Sequence, residues 1–199
     1  MIKLSIIIPV YNQEHLVFRA LDSIPVREDI EVICIDDCST DNTYALLREY
    51  ANSSVNKFVL LHNEENKGVG YTTNKGYDIA NGEWIIGIDN DDYLLTDDYN
   101  RFIDFLDTHA DYDMIYLNNE VNDKSVWKDT TRSAIWSYAI RKDYLGDIRM
   151  LEDRNVLVDW KLKQKLDSLN PKIISSDITC YHYNYPREGS LLQTIRNKK

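Results

Sequence analysis

The order of apolar runs in the first half of the chain constrains the fold more than any other feature. Leu4 to Val10, Ile30 to Ile35, Phe58 to Leu61 and Glu83 to Ile88 are short runs rich in β-branched and apolar residues, and each reads as a buried strand. Segments with helical spacing lie between them. Glu14 to Ile24 puts Leu16, Ala20, Leu21 and Ile24 on one face. Ser39-Thr40-Asp41-Asn42 is a helix-start signal before Ala45, Leu46, Leu47 and Tyr50, which predicts a helix over 40–50. Gly68 to Ala80 reads as a third helix with glycine-rich ends. Such β-α alternation implies a mostly parallel sheet covered by helices on both faces. Ligands in open sheets of this kind collect at the carboxyl ends of the strands. Pro9 to Asn12, Asp36-Asp37 and Asp89 to Asp92 all fall at such ends.

The last of these groups carries the most chemistry. Ile88-Asp89-Asn90-Asp91-Asp92 packs three carboxylates into four residues directly after the apolar run Trp84-Ile85-Ile86-Gly87-Ile88. Like charges crowded at the end of a buried strand repel, and a partly desolvated anion is costly. A hard cation relieves both costs, and oxygen-only ligands suit Mg²⁺ or Mn²⁺. The competing reading is an acidic turn before a helix that begins near Thr96.

The second half is less regular. A helix is expected around Phe102 to Leu106 and a strand at Met114 to Leu117. Short antiparallel strands are expected at Ser125 to Trp127 and Ala134 to Ile140. Asn155 to Leu169 has the spacing of an amphipathic helix, and Ile173-Ile174 and Cys180 to Tyr183 read as late strands. No linker or internal repeat divides residues 1–199, so one domain is expected. At 199 residues it is long enough for a substantial core. The net charge of −10 argues against a broad nucleic-acid-binding or anionic-lipid surface. No apolar run approaches the ~20 residues that span a bilayer, and Met1 to Ser5 lacks a signal-peptide layout. Three cysteines without zinc spacing fit a reducing compartment, so a cytoplasmic protein is expected. Fourteen tyrosines against four phenylalanines offer ring faces and hydroxyls suited to a sugar-binding cleft, or to an ordinary surface.

Taken in order, these segments resemble family 2 glycosyltransferases, whose fold is GT-A. Ser5-Ile6-Ile7-Ile8-Pro9-Val10-Tyr11-Asn12 resembles the opening strand. Ile35-Asp36-Asp37-Cys38-Ser39-Thr40-Asp41 resembles the second motif, Asn66-Lys67-Gly68 and Asn74-Lys75-Gly76 the following loop and helix, and Ile88 to Asp92 the metal-binding motif. The resemblance covers nearly the whole chain. It implies an α/β domain with a mostly parallel central sheet and a small antiparallel C-terminal part. Residues 1–95 would bind the nucleotide sugar, and residues 96–199 would bind the acceptor and carry the base.

The resemblance also assigns roles. Pro9, Tyr11 and Asn12 would wall the base of a nucleotide diphosphate sugar, and Asp36 would accept a hydrogen bond from a uracil ring nitrogen. Asp37 would orient its loop, or cap the 40–50 helix together with Ser39. Asp89 would face the ribose hydroxyls, Asp91 would hold the metal and Asp92 would support it. Lys67, Gly68 and Asn74 would touch the donor, and Gly70 would admit close backbone approach or serve only the helix entry. The family often has Ala-Arg-Asn where this chain has Thr72-Thr73-Asn74; Lys67 or Lys75 would have to supply the missing charge.

An inverting transfer needs a base for the acceptor hydroxyl. Two carboxylates compete: Asp159, which fits the helix context, and Asp153 of the literal pair Glu152-Asp153. Trp160 would pack on an acceptor sugar or in the core. His182 would complete the metal shell, touch phosphate or serve the strand, and Arg187 would neutralise the diphosphate. Candidate acceptors are a glycan, a lipid-linked sugar or another hydroxyl compound, and a second subunit would complete an open acceptor site. Two other functions compete. Nucleotidyl transfer is disfavoured because Pro9 to Gln13 has neither glycine nor lysine. A non-catalytic nucleotide-sugar-binding subunit remains the alternative to an enzyme.

Overall fold

A computed structural model describes residues 1–122, 132–153 and 157–185. Strands β1 (Leu4–Val10), β2 (Ile30–Asp36), β3 (Lys57–His62) and β4 (Trp84–Gly87) alternate with helices α1 (Val17–Asp22), α2 (Thr43–Ser53) and α3 (Val69–Ile79). Then follow β5 (Tyr93–Leu94), α4 (Thr96–Thr108), β6 (Met114–Val121), β7 (Tyr138–Arg141), α5 (Lys142–Leu145), α6 (Val158–Asp167) and β8 (Ile173–Tyr183). One eight-stranded sheet has the order β3-β2-β1-β4-β7-β6-β8-β5. The pairs β1–β2, β1–β4, β2–β3 and β6–β8 are parallel; β7 lies antiparallel between β4 and β6, and β5 is antiparallel to β8.

The expected layering follows from period-two alternation on the central strands. Leu4, Ile6, Ile8 and Val10 face one core with Val17 and Leu21 of α1, Leu47 of α2, and Phe102, Ile103 and Leu106 of α4. Ile7, Ile33 and Ile35 face a second core with Tyr77 of α3 and Val158, Leu162 and Leu166 of α6. Helix α3 lies close on the sheet because residue 76 is glycine. A Cβ there would sit 2.5 Å from Ile7 Cγ2.

Several boundaries differ from the sequence reading. Helix α2 begins at Thr43 rather than Thr40, because residues 37–42 form a loop tied to side chains of the segment after β1, Asn12 at Thr40 and Glu14 at the Asn42 N–H. Helix α1 is confined to Val17–Asp22. The two late strands are one eleven-residue strand, β8. Its polar middle, Ser175-Ser176-Asp177, breaks the apolar run without breaking the strand; Ser176 is buried, its two neighbours are exposed, and the pairing with β6 shifts register there. The expected strand at Ser125 to Trp127 lies outside the described residues, as does Asn155. Among the described residues no helix is long and apolar enough to cross a membrane.

Candidate active site

The carboxyl ends of β1, β2, β3 and β4 share one edge of the sheet, and the loops leaving them interlock. Asn12 adopts φ +51°, a left-handed conformation that asparagine tolerates better than most residues. Its N–H donates to Ser39 Oγ at 2.9 Å, its Nδ2 to Thr40 Oγ1 at 3.2 Å, and its Oδ1 accepts from the Thr40 N–H at 2.8 Å. Asn12 therefore ties the β1 and β2 loops together. Tyr11 beside it is exposed. Pro9 closes the last turn of a central strand without disruption, since the β1–β4 ladder ends at Ile7–Gly87 and no neighbour needs the N–H that proline lacks. Its carbonyl accepts from Asn90 Nδ2.

The two β2 aspartates divide their work. Both oxygens of Asp37 are occupied: Oδ1 accepts from Asn63 Nδ2 and the Lys67 N–H, each at 2.8 Å, and Oδ2 from the Gly68 N–H at 2.7 Å. Asp37 orients the loop before α3 and does not cap α2; Ser39 serves Asn12 instead. Gly68 meets this geometry at φ +89°. Asp36 is fully buried. Its Oδ2 accepts from the Ser39 N–H at 3.0 Å and lies 2.8 Å from His62 Nδ1. Its Oδ1 is buried without a partner, which costs ~1–3 kcal/mol in an unliganded protein. Lys67 contacts Glu65 and lies over the Tyr71 ring.

Beyond β4, the carboxylates of Asp89, Asp91 and Asp92 offer oxygens within 4.8 Å of one another. This is near the ~4 Å that opposite ligands of one Mg²⁺ span. Asp92 is buried, and both its oxygens accept protein donors: Tyr181 Oη at 2.6 Å and the Asn184 N–H at 2.8 Å. Burial, then the Asp91 charge, pushes the Asp92 carboxyl up to about 7. Burial, then the charges of Asp92, Asp91 and Asp159, pushes Asp89 well above the usual carboxylate range. Arg19 and Asn184 Nδ2 bind the Asp91 carbonyl at 2.6 and 3.1 Å and shape the turn. An oxygen-only, mutually repelling set fits a hard divalent cation, with Asp89 and Asp91 as the more open ligands and Asp92 as their support.

His182 does not join this set. Its ring stacks on Tyr93 at 4.3 Å, its Nδ1 lies 2.8 Å from Glu120 Oε1, and its Nε2 lies 2.7 Å from Asn122 Oδ1. Alternation along β8 turns its neighbour inward instead. The Tyr181 hydroxyl donates to Asp92 and accepts from the Asp89 N–H at 3.2 Å, and its ring stacks on Trp136 at 4.4 Å. Tyr181 is the residue that sequence reasoning missed beside the histidine it chose. Arg187 lies outside the described residues.

The two competing acidic segments differ in burial and in partners. Asp159 sits in the first turn of α6, half-buried, and burial pushes its carboxyl up to about 6. Its charge adds to those that raise the Asp89 carboxyl and the Tyr77 and Tyr138 hydroxyls. Trp160 points outward, 48% exposed, and is not a core residue. The literal Glu152-Asp153 pair is exposed, and Glu152 has a structural partner. Asn74 Nδ2 donates to Glu152 Oε1 and the Met150 carbonyl, each at 3.0 Å, and Asn74 Oδ1 accepts from the Met150 N–H at 2.9 Å. Asn74, expected at the donor, thus has its amide engaged by this segment. Gly70 adjoins the same segment: a Cβ there would lie 2.1 Å from the Leu151 carbonyl oxygen, so its open face is filled by protein rather than ligand.

Comparison with known proteins agrees with this geometry. Residues 5–162 match the family model described as glycosyl transferase family 2. A poly(ribitol-phosphate) β-glucosyltransferase of Bacillus spizizenii is 38% identical over 107 residues, covering 52% of this chain and 17% of the relative. The poly(ribitol-phosphate) β-N-acetylglucosaminyltransferase TarS of Staphylococcus aureus is 26% identical over 95% of this chain and 36% of its own length. The chain therefore spans little more than a third, or less, of these relatives. The crystal structure of S. aureus TarS residues 1–349 with UDP-GlcNAc superposes with a TM-score of 0.83 at 25% identity, covering 97% of this chain and 61% of that one.

Proposed function

This chain belongs to glycosyltransferase family 2 and has its GT-A fold, and we propose that it moves a sugar from a UDP-sugar to an acceptor hydroxyl with inversion, using Mn²⁺ or Mg²⁺. The observation that carries this reading is the set of carboxylates: an acceptor oxygen without a partner on Asp36, a repelling trio after β4, and a carboxyl at Asp159 raised to the range of a base. The relative crystallised with UDP-GlcNAc supports uridine as the donor's nucleoside.

Pro9, Tyr11 and Asn12 flank the base, and Asp36 Oδ1 takes a ring N–H. Asp89 meets the ribose hydroxyls, and the loop of Lys67 and Gly68 lies at the donor. Asp91, supported by Asp92, would hold the cation, whose charge would offset that of the diphosphate. Asp159 removes the acceptor proton; a carboxyl near 6 is largely ionised at neutral pH yet basic enough for the task. The acceptor class most consistent with the relatives is a hydroxyl on a glycan or polyol-phosphate polymer.

The test is a melting-temperature series with UDP, with and without Mn²⁺, on the parent and on Asp91→Asn. A ligand that binds only the folded state raises the melting temperature. The parent should show a Mn²⁺-dependent rise and Asp91→Asn should not. Undiminished Mn²⁺-dependent binding in the variant would defeat the metal assignment. Slow release of free sugar from the UDP-sugar distinguishes an enzyme from a binding subunit, which would release none.

A further inference from the structure

We propose that His62 is a specificity-determining positioning residue: it fixes the Asp36 carboxylate so that one oxygen is presented as a pure acceptor, selecting uracil over cytosine. The inference rests on the reading above that Asp36 meets the donor's base. His62 ends β3 and is the register partner of Asp36 across the β2–β3 pair. At 2.8 Å from a carboxylate oxygen, its Nδ1 is a hydrogen-bond donor when it carries the ring proton. The Ser39 N–H reaches the same oxygen, Oδ2. Two donors on one oxygen lock the rotation of the group, and the other oxygen, Oδ1, is left buried with nothing to accept from.

The histidine is itself held. The Tyr44 ring of α2 lies against it at 4.3 Å with a tilt of 34°. The next residue, Asn63, donates its N–H to the Asp36 carbonyl at 2.9 Å, and its Oδ1 takes Lys75 Nζ at 2.8 Å. A tie of merely structural purpose would saturate the carboxylate. This one saturates half of it and leaves the other half fully desolvated, an arrangement suited to a single donor from a ligand.

Uracil presents such a donor, its N3–H, between two carbonyls. Cytosine presents a lone pair at N3, which an acceptor oxygen repels. Discrimination built on a buried polar group left unpaired by the wrong ligand is the strong kind. Without His62 the carboxylate is free to turn, and the Ser39 N–H and solvent share both oxygens, so the repulsion of cytosine weakens along with the attraction of uracil.

Calorimetry of UDP and CDP in the presence of Mn²⁺ tests this on the parent and on His62→Ala, His62→Asn and His62→Gln. The asparagine amide can place its nitrogen where Nδ1 lies; the glutamine amide extends past it. The parent should prefer UDP. His62→Ala should lower UDP affinity about tenfold, the order lost with one charge-assisted hydrogen bond, with a similar fall in the UDP-to-CDP ratio. His62→Asn should recover most of both, and His62→Gln should not. An unchanged UDP-to-CDP ratio in His62→Ala overturns the proposal. If that variant does not fold, equal ratios in His62→Asn and His62→Gln overturn it instead. A parent that binds neither nucleotide defeats the functional reading beneath it, a result distinct from a parent that binds UDP with a histidine that does not matter.

Discussion

Strand β2 carries a buried carboxylate near each end, and the protein treats them differently. At the entering end, Glu31 accepts from Ser5 Oγ at 2.7 Å, Lys57 Nζ at 2.6 Å and the Asn81 N–H at 2.6 Å. Ser5, Glu31 and Lys57 are register partners across β1, β2 and β3. Burial pushes the Glu31 carboxyl up, but the bonds from Lys57, Asn81 and Ser5 outweigh it and hold the group below the usual range. At the leaving end, Asp36 is half-satisfied, and the nearby Asp89 and Asp92 are held above the usual range by burial first and then by neighbouring aspartates, Asp92 and Asp91 for Asp89 and Asp91 for Asp92. Complete satisfaction marks a carboxylate kept for the fold. One open oxygen on Asp36, beside carboxylates held above their usual range, marks an edge suited to a cationic or proton-donating ligand.

The comparison predicts activity loss without instability at one edge and the reverse at the other. The largest effect belongs to Asp159→Asn, which should lower transfer by ~10²-fold or more while UDP binding persists. In the parent, transfer should fall about tenfold per pH unit below an apparent pKa near 6, the carboxyl's own value, and be flat above it. If Asp153→Asn is instead the inactive variant, the base lies in the literal pair.

Next comes Asn74→Ala, which removes three hydrogen bonds to Met150 and Glu152. Turnover should fall by about tenfold, as expected when a reacting group is held loosely, with UDP affinity nearly unchanged. A loss of UDP affinity instead would return Asn74 to the donor. Glu31→Gln should leave nucleotide binding and turnover intact and cost about 2 kcal/mol of stability by urea unfolding, since Lys57 is half-exposed and regains water.

The smallest effect has the least expected sign. The Asp159 carboxyl titrates at about 6 in the folded chain, against ~3.9 when unfolded. Between those values the folded chain holds protons that the unfolded chain has released, so stability falls as pH rises through the window and the full penalty stands above it. Asp159→Asn removes that penalty. The metal-free variant should melt at or a few degrees above the parent at pH 8 and show no advantage at pH 3.5.

Much of this was legible because strand ends are legible. Runs such as Ile30 to Ile35 announce where a parallel strand stops, and the residues at the stop are candidates. The same rule applied to Phe58 to Leu61 would have singled out His62. What lay beyond reach depends on partners distant in sequence. The Asn74 side chain is committed by residues 76 and 78 positions away. In β8, alternation says that Tyr181 and His182 cannot face the same way, yet a run of tyrosines and a histidine carries too little apolar contrast to say which turns inward. An antiparallel strand was expected over Ala134 to Ile140 and is β7 at Tyr138–Arg141, but its place between β4 and β6 was hidden, because its four residues carry too little signal to choose neighbours.

Helix α3 is keyed at two glycines, to the sheet at Gly76 and to the segment before α6 at Gly70. Neither contact leaves room for a single methyl group, so the helix has no play against either neighbour. It acts as a ruler. Six residues at 1.5 Å each separate the two marks by about 9 Å, and that rigid interval helps fix how far the sheet at Ile7 stands from the segment at Leu151. A one-residue insertion or deletion between the two glycines would rotate one mark by about 100° against the other, so only one glycine could face its neighbour.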